Sequence, residues 1–282
     1  MPIQTPPLES VLQDGPGSTF SQSSLQDYAD CPRRFQLRYL EQMVWPAVES
    51  EPISETEARK QDAVRFHRLT QQHLLGLPTD KLTAMAGTPN LERWWQNYVS
   101  AGPNLGGYTL HTEKSLTARV GRHRLVSQYD LLAVQPGKAI IYDWKTFARR
   151  PRNEWLAARW QTRVYRAMLA MAGAELNNDQ PFQAGDISMV YWFAEFPTNP
   201  AQLSYDQQQF KRDWSAIESL VQEIGQAQTF PLTEDHGHCR FCVYRSLCDR
   251  GDQAGASPDA PAEASEGAPF ELEFEQIGEI ES

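Results

Sequence analysis

The segment IIYDWKT places Asp143 and Lys145 two residues apart. Alternate residues of a strand share a face, so the carboxylate and the ammonium are expected to point the same way. The earlier segment SQYDLL adds Asp130, and the tight-turn sequence QPGK lies between the two aspartates. Two carboxylates and one lysine at a strand end suit phosphoryl chemistry. Carboxylates are hard ligands for Mg²⁺ or Mn²⁺. Such an ion polarises a phosphoryl oxygen and lowers the pKa of bound water, while a lysine orients that water or neutralises charge developing at phosphorus. The D-x-K tripeptide alone also describes a surface cross-strand ion pair of small energetic value. The apolar lead-in Ala139-Ile140-Ile141 favours a buried strand that ends in a site.

A second group of reactive side chains lies near the C-terminus. HCRFCVYRSLC contains Cys239, Cys242 and Cys248, three of the four cysteines in the chain, at C-x2-C-x5-C spacing. Structural metal sites mostly use four ligands. The fourth could be Cys31, far upstream in DYADCPRRF, or one of the adjacent His236 and His238, which would make a local three-cysteine, one-histidine zinc site.

These groups need elements to position them. Ser23 and Gln26 fit a capping box, so a helix is expected from Ser23, interrupted at Cys31-Pro32 and resumed through RRFQLRYL. Further helices are expected over about 55–76 and 90–99. YTLHTEKSLTARV, HRLVSQYDLLAVQ and KAIIYDWKT read as three strands. One helix is expected over EWLAARWQTRVYRAMLAMAG, a strand over DISMVYWFAEF, and a helix over YDQQQFKRDWSAIESLVQEIGQ. At helical period Trp160, Val164, Met168 and Met171 form a buried stripe with Gln161 and Tyr165 along its flank. Arg159, Arg163 and Arg166 read as a solvated face, and Arg149, Arg150 and Arg152 as phosphate-contacting candidates. The expected fold is α/β, a mixed central sheet flanked by helices. Residues 1–19 read as a flexible leader, 20–250 as one domain, and 251–282 as an acidic disordered tail.

Asp130, Asp143, Trp144 and Lys145 together resemble the signature of PD-(D/E)xK nucleases, in their RecB-like branch. The resemblance covers most of residues 20–250 and extends to other motifs. His67 in FHRLTQQHLLG matches the branch's upstream helical histidine better than His73, with Gly76 following. Glu113 in HTEKSL matches the glutamate on the preceding strand, and Gln161 with Tyr165 matches Q-x3-Y. Two positions depart from the pattern. Ser127 stands where glycine is usual, and KQDAVRFH lacks the glycine usually found before the histidine. The resemblance implies a restriction-endonuclease-like core and Mg- or Mn-dependent hydrolysis of DNA. His67, Asp130, Asp143 and the Trp144 carbonyl would be metal ligands, Glu113 and Lys145 catalytic groups, and Gln161 and Tyr165 positioning groups.

Cys31 in a Y-x2-C-P setting, followed after the core by C-x2-C-x5-C, is similar to the iron–sulfur nucleases of this branch, such as AddB-type domains and CRISPR-associated RecB-like exonucleases. The resemblance implies that Cys31, Cys239, Cys242 and Cys248 hold a 4Fe-4S cluster joining the N- and C-terminal parts. Zinc is the competing occupant.

Composition limits the alternatives. The net charge is −10, but nine acidic residues and no Lys or Arg follow Arg250, so the first 250 residues carry about −1 and can present a basic groove. MPIQTPPLES does not resemble a secretory signal, no apolar stretch reaches membrane-spanning length, and the few cysteines suit a reducing cytoplasm. The expected partner is DNA, single-stranded or at ends, with no membrane. No Walker A motif is present, so a helicase or CRISPR adaptation protein is a possible partner. The alternative functions are a CRISPR adaptation nuclease or a catalytically weak DNA-binding subunit of a helicase–nuclease complex. The tail segment FELEFEQIGEI reads as a solubilising tail, a partner-docking segment or a mimic of DNA charge.

Overall fold

The computed structural model of the chain describes residues 18–43, 55–240 and 242–251. All of the expected tail (251–282) except residue 251, and most of the expected leader, lie outside them. Residue 19 does not belong to a leader: Thr19–Ser21 form strand β1.

Six strands form one mixed sheet. β2 (Thr109–Val120) and β3 (His123–Gln135) are an antiparallel hairpin, and β4 (Lys138–Lys145) returns antiparallel along the other edge of β3. β1 runs parallel to β3 at Arg124–Val126, ahead of the β4 pairing at Leu131–Gln135. β5 (Ile187–Phe193) is parallel to β4, and β6 (Ala201–Ser204) closes the sheet antiparallel. β4 and β5 are central and buried on both faces, which explains their near-continuous apolar runs.

Helices cover both faces. On one, α3 (Glu55–Leu74), α4 (Thr79–Met85) and α5 (Pro89–Ala101) pack Phe66, Leu82, Trp94, Trp95 and Tyr98 against Leu131, Tyr142, Trp144 and Trp192. On the other, α1 (Gln22–Asp30), α7 (Trp160–Ala172) and α8 (Gln207–Gln226) pack Leu25, Val164, Met168, Ile217 and Val221 against Leu132, Ile141, Met189 and Phe193. Full burial of one such side chain contributes about 1.5–3 kcal/mol.

Several local expectations change. α1 starts at Gln22, because Ser21 is its N-cap and shares a reciprocal capping box with Ser24; Ser23 and Gln26 do not form one. The expected interruption at Cys31-Pro32 is present, and the helix resumes as α2 (Pro32–Phe35), continued by a π-helical turn over Gln36–Leu40. The single helix expected after β4 is two, α6 (Asn153–Ala158) and α7, divided by the extended backbone of Arg159 (φ −63°, ψ 143°). The Thr162 hydroxyl then bonds the Leu156 carbonyl at the break. Met171 is 47% exposed and leaves the buried stripe. Arg166, expected in solvent, is buried; it donates to the Ser204 carbonyl and pairs with Asp213, as does Arg163.

Candidate active site

The β3–β4 ladder ends at the pair Leu131–Tyr142, so Asp130 and Asp143 occupy the next opposed positions. Like charges directly opposite each other destabilise a sheet. Here the strands diverge instead, and the Trp144 amide donates to Asp130 Oδ2 at 2.8 Å. The hairpin is unusual at the same level. On β3 the residues facing the α7 side change from Leu125 and Tyr129 to Leu132 and Val134. Leu131 and Ala133 face the α3 side. Across β2, between the pairs Thr112–Leu131 and Lys114–Tyr129, Glu113 has a left-handed backbone (φ 50°). Non-glycine residues adopt this conformation at a cost and concentrate at functional sites.

The other predicted groups gather around this opening. His67, on α3, brings Nδ1 to 3.3 Å from Asp130 Oδ1. Lys145 Nζ is 2.8 Å from Asp143 Oδ2 and donates to Gln161 Oε1 at 3.1 Å. Gln161 Nε2 in turn donates to Asp143 Oδ1 at 2.8 Å and lies 3.4 Å from the Tyr165 hydroxyl. Gln161 thus holds the carboxylate with one end of its amide and the ammonium with the other. Glu113 accepts a bond from Gln128 at 2.8 Å. The Tyr165 ring packs against Tyr129, whose hydroxyl donates to the Tyr165 carbonyl at 2.9 Å. His73, by contrast, contacts Tyr98 and Trp95 away from the aspartates.

Electrostatics separate the two carboxyls. Burial and the neighbouring Asp130 push Asp143 up to about 6, against the pull of Lys145. Asp130 is only partly buried, and its pairing with His67 and its bond from the Trp144 amide outweigh desolvation and hold it below the ordinary carboxylate range. His67 is raised despite burial, because Asp130 stabilises its imidazolium. Burial and Asp130 raise Glu113. Among the described residues no three His, Cys, Asp or Glu side chains are drawn into metal-ligating contact. The donor set still fits a hard cation, because the Asp130 and Asp143 carboxylates and the His67 imidazole converge at the opening, with Asp143 Oδ2 buried and paired with Lys145.

The four cysteines line one cavity without being drawn into metal-ligating contact. Cys31, at the C-terminal end of α1, lines one cavity with Cys239, Cys242 and Cys248, although 207 residues separate it from the nearest of them. Arg34 and His238 reach the same cavity. Burial raises the Cys239, Cys242 and Cys248 thiols. The two ends of the domain are joined by polypeptide contacts as well. The Arg33 amide donates to the Pro231 carbonyl, Phe35 stacks on Phe230, and the Tyr244 hydroxyl donates to the Met43 carbonyl.

Three polar residues make contacts near the site that sequence reading did not assign to them. Gln22 Nε2 donates to the Tyr165 hydroxyl at 3.4 Å, and Gln26 accepts the Trp160 amide at 3.1 Å. Both lie on α1, far from α7 in sequence. Arg59 bonds the Thr146 carbonyl just past Lys145 and also binds Glu195. Nothing in local sequence distinguishes it from a surface arginine. Arg150, expected at phosphate, is occupied by the Asn199 carbonyl and Asn153; Arg149 and Arg152 remain exposed.

A mixed sheet with helices on both faces brings charged groups together where two central strands part. Residues 19–249 match the family model of the PD-(D/E)XK nuclease superfamily, and the chain belongs to that superfamily. It is therefore a nuclease, a hydrolase acting on phosphodiester bonds. Solved structures similar to the chain include SSO0001 (TM-score 0.41, 14% identity, 87% of this chain and 93% of that one) and a candidate exonuclease from Eubacterium rectale (TM-score 0.49, 8% identity, 98% of each chain). No curated protein is matched. No helix of the described residues is long and apolar enough to cross a membrane.

Proposed function

We propose that the protein is a Mg²⁺- or Mn²⁺-dependent deoxyribonuclease of the RecB-like branch, acting as an exonuclease on single-stranded DNA or DNA ends in repair or recombination. The observation that carries this reading is the linked set Asp130, Asp143, Lys145 and Gln161 at the opening between β3 and β4. His67, Asp130, Asp143 and the Trp144 carbonyl would hold the cation. When bound, it supplies positive charge to the phosphoryl group and acidifies water.

The chain's own residues have separate tasks. Lys145, held by Gln161, presents its ammonium where charge develops in the transition state and orients the attacking water. Gln161 keeps Asp143 and Lys145 in one register by donating to Asp143 Oδ1 and accepting from the ammonium, which also pairs directly with Asp143 Oδ2. Tyr165, a neutral hydroxyl held well above its ordinary pKa by burial and Asp143, packs behind Gln161. Glu113, raised by burial beside Asp130, is suited to hold a proton or to share in binding the cation. Arg149 and Arg152, exposed after the lysine strand, are suited to the DNA backbone.

The four convergent thiols support a 4Fe-4S cluster as the clasp of the domain, with zinc as the alternative occupant. Purified protein, prepared anaerobically, should degrade end-labelled single-stranded DNA with Mg²⁺ or Mn²⁺ and lose this activity in Asp143→Asn. Unchanged degradation by Asp143→Asn would refute the assignment.

A further inference from the structure

Helix α7 begins without a cap of its own. Arg159, its N-cap residue, makes no side-chain bond to the first turn, and the first amides of a helix have no partner within it. One of them is satisfied from another helix, since the Trp160 amide donates to Gln26 Oε1 on α1 at 3.1 Å. The Gln26 amide is itself oriented, because its Nε2 donates to Asp30 Oδ1 at 2.7 Å. The other Asp30 oxygen takes Arg34 Nη2 at 2.8 Å, and Arg34 lines the four-cysteine cavity. At the far end, the residue after Trp160 is Gln161, which binds Asp143 and Lys145. α1 reaches α7 a second time through Gln22 and Tyr165, and it leads directly into Cys31.

We infer that α1 couples the thiol cavity to the catalytic strands: Gln26 is a positioning residue that caps α7 in trans, and Asp30 and Arg34 tie that cap to the cavity wall. The inference rests on the reading of Gln161 as a site residue. The relay consists of partly buried side chains with charge-assisted bonds at two of its steps, and such bonds are shorter and stronger than neutral ones. A shift of Arg34 at the cavity therefore moves the first turn of α7.

The test uses the full-length protein with its cavity as purified. Gln26→Ala is expected to speed hydrogen exchange several-fold in the peptide spanning Trp160–Tyr165. It should also lower kcat on linear single-stranded DNA about tenfold with little change in KM, as for a misplaced catalytic group. Arg34→Gln should give the same pattern, and the double variant should be no worse than either single, the non-additivity of a shared path. Gln26→Glu with Asp30→Asn exchanges donor and acceptor, keeps an acceptor for the Trp160 amide, and should restore both readouts. If Gln26→Ala does not fold, Gln26→Glu alone takes its place in the comparison. Unaltered exchange over Trp160–Tyr165, additive effects of Gln26 and Arg34, or failure of the exchanged pair to restore would each overturn the inference. Gln161→Ala separates this outcome from the reading beneath it: full activity there removes Gln161 from the site, whereas the exchange result reports the coupling alone.

Discussion

Asp130 and Asp143 stand opposite each other at the first step where the β3–β4 ladder fails, and the hydrogen bond that replaces the ladder runs from the Trp144 amide to the Asp130 carboxylate at 2.8 Å. The sheet opens where two acids would otherwise face each other across paired strands. The same opening admits His67 from one side and Lys145 from the other. Strand divergence and site formation are thus one structural event.

Lys145→Ala and Gln161→Ala should differ in size but act through one path. On the proposed role of Lys145, loss of the ammonium should remove transition-state stabilisation and lower kcat about 10²–10³-fold. Gln161→Ala should cost less, and the double variant should resemble Lys145→Ala alone, because the two side chains are bonded at 3.1 Å. Steady-state kinetics of the four proteins on one DNA substrate checks this.

Asp143 should make stability fall with rising pH in the metal-free chain. Burial and Asp130 raise it from 3.8 to about 6, so the folded state binds its proton more tightly than the unfolded state does. Its contribution is fully present below the unfolded value and is lost as pH rises through about 6. In chelator, the difference in melting temperature between the wild type and Asp143→Asn should move in favour of Asn between about pH 4 and 6.

Glu195 has the opposite sign. Although burial opposes it, the bonds from Arg93, Trp94 and Arg59 hold Glu195 below the usual glutamate range. Its stabilisation is present above the unfolded pKa and is lost as pH falls through the lower folded value. Glu195→Gln should lower stability at pH 7 by about 1–2 kcal/mol, after allowing for screening at the half-exposed Arg93, and the deficit should vanish in acid. Urea titrations at pH 7 and pH 3.5 measure both.

Phe66 is fully buried among Trp94, Tyr98 and Trp192, one residue before His67. Phe66→Ala should destabilise by about 3–5 kcal/mol, whereas Phe66→Leu should cost much less and keep His67 in place. Chemical denaturation gives the stabilities, and the metal dependence of cleavage reports His67.

Cys31→Ala and Cys239→Ala should lose the same metal, measured as iron content and visible absorbance. His236→Ala and His238→Ala should retain it. Zinc in the wild type with no iron would replace the cluster reading by the zinc one.

Much of the scaffold is legible locally. β2, β3 and β4 lie within a residue of the segments read from alternation, because long strands that bury one or both faces carry a period or a continuous apolar run. β1, β6 and α4 were not legible: three, four and seven residues are too few for a period to show. The break at Arg159 was also hidden, because 154–173 keeps helical spacing through it. Gln26 has the residue type of a capping partner for Ser23, but its bonds go to Asp30 and to another helix.

By itself the sequence determined which chemical groups exist and their order: histidine, glutamate, two aspartates, lysine, Q-x3-Y, and one cysteine far ahead of three. It also determined that Asp143 and Lys145 share a strand, since that follows from backbone geometry over three residues. The tertiary structure decided what those groups do to one another. Register set Asp130 against Asp143, divergence gave Asp130 the Trp144 amide, and that bond with the His67 pairing holds Asp130 low while burial raises Asp143. Packing of the N-terminal helix against the C-terminal segment brought Cys31 to the other thiols. These outcomes depend on contacts between residues distant in the chain and on the solvent those contacts exclude, neither of which is encoded at any single position.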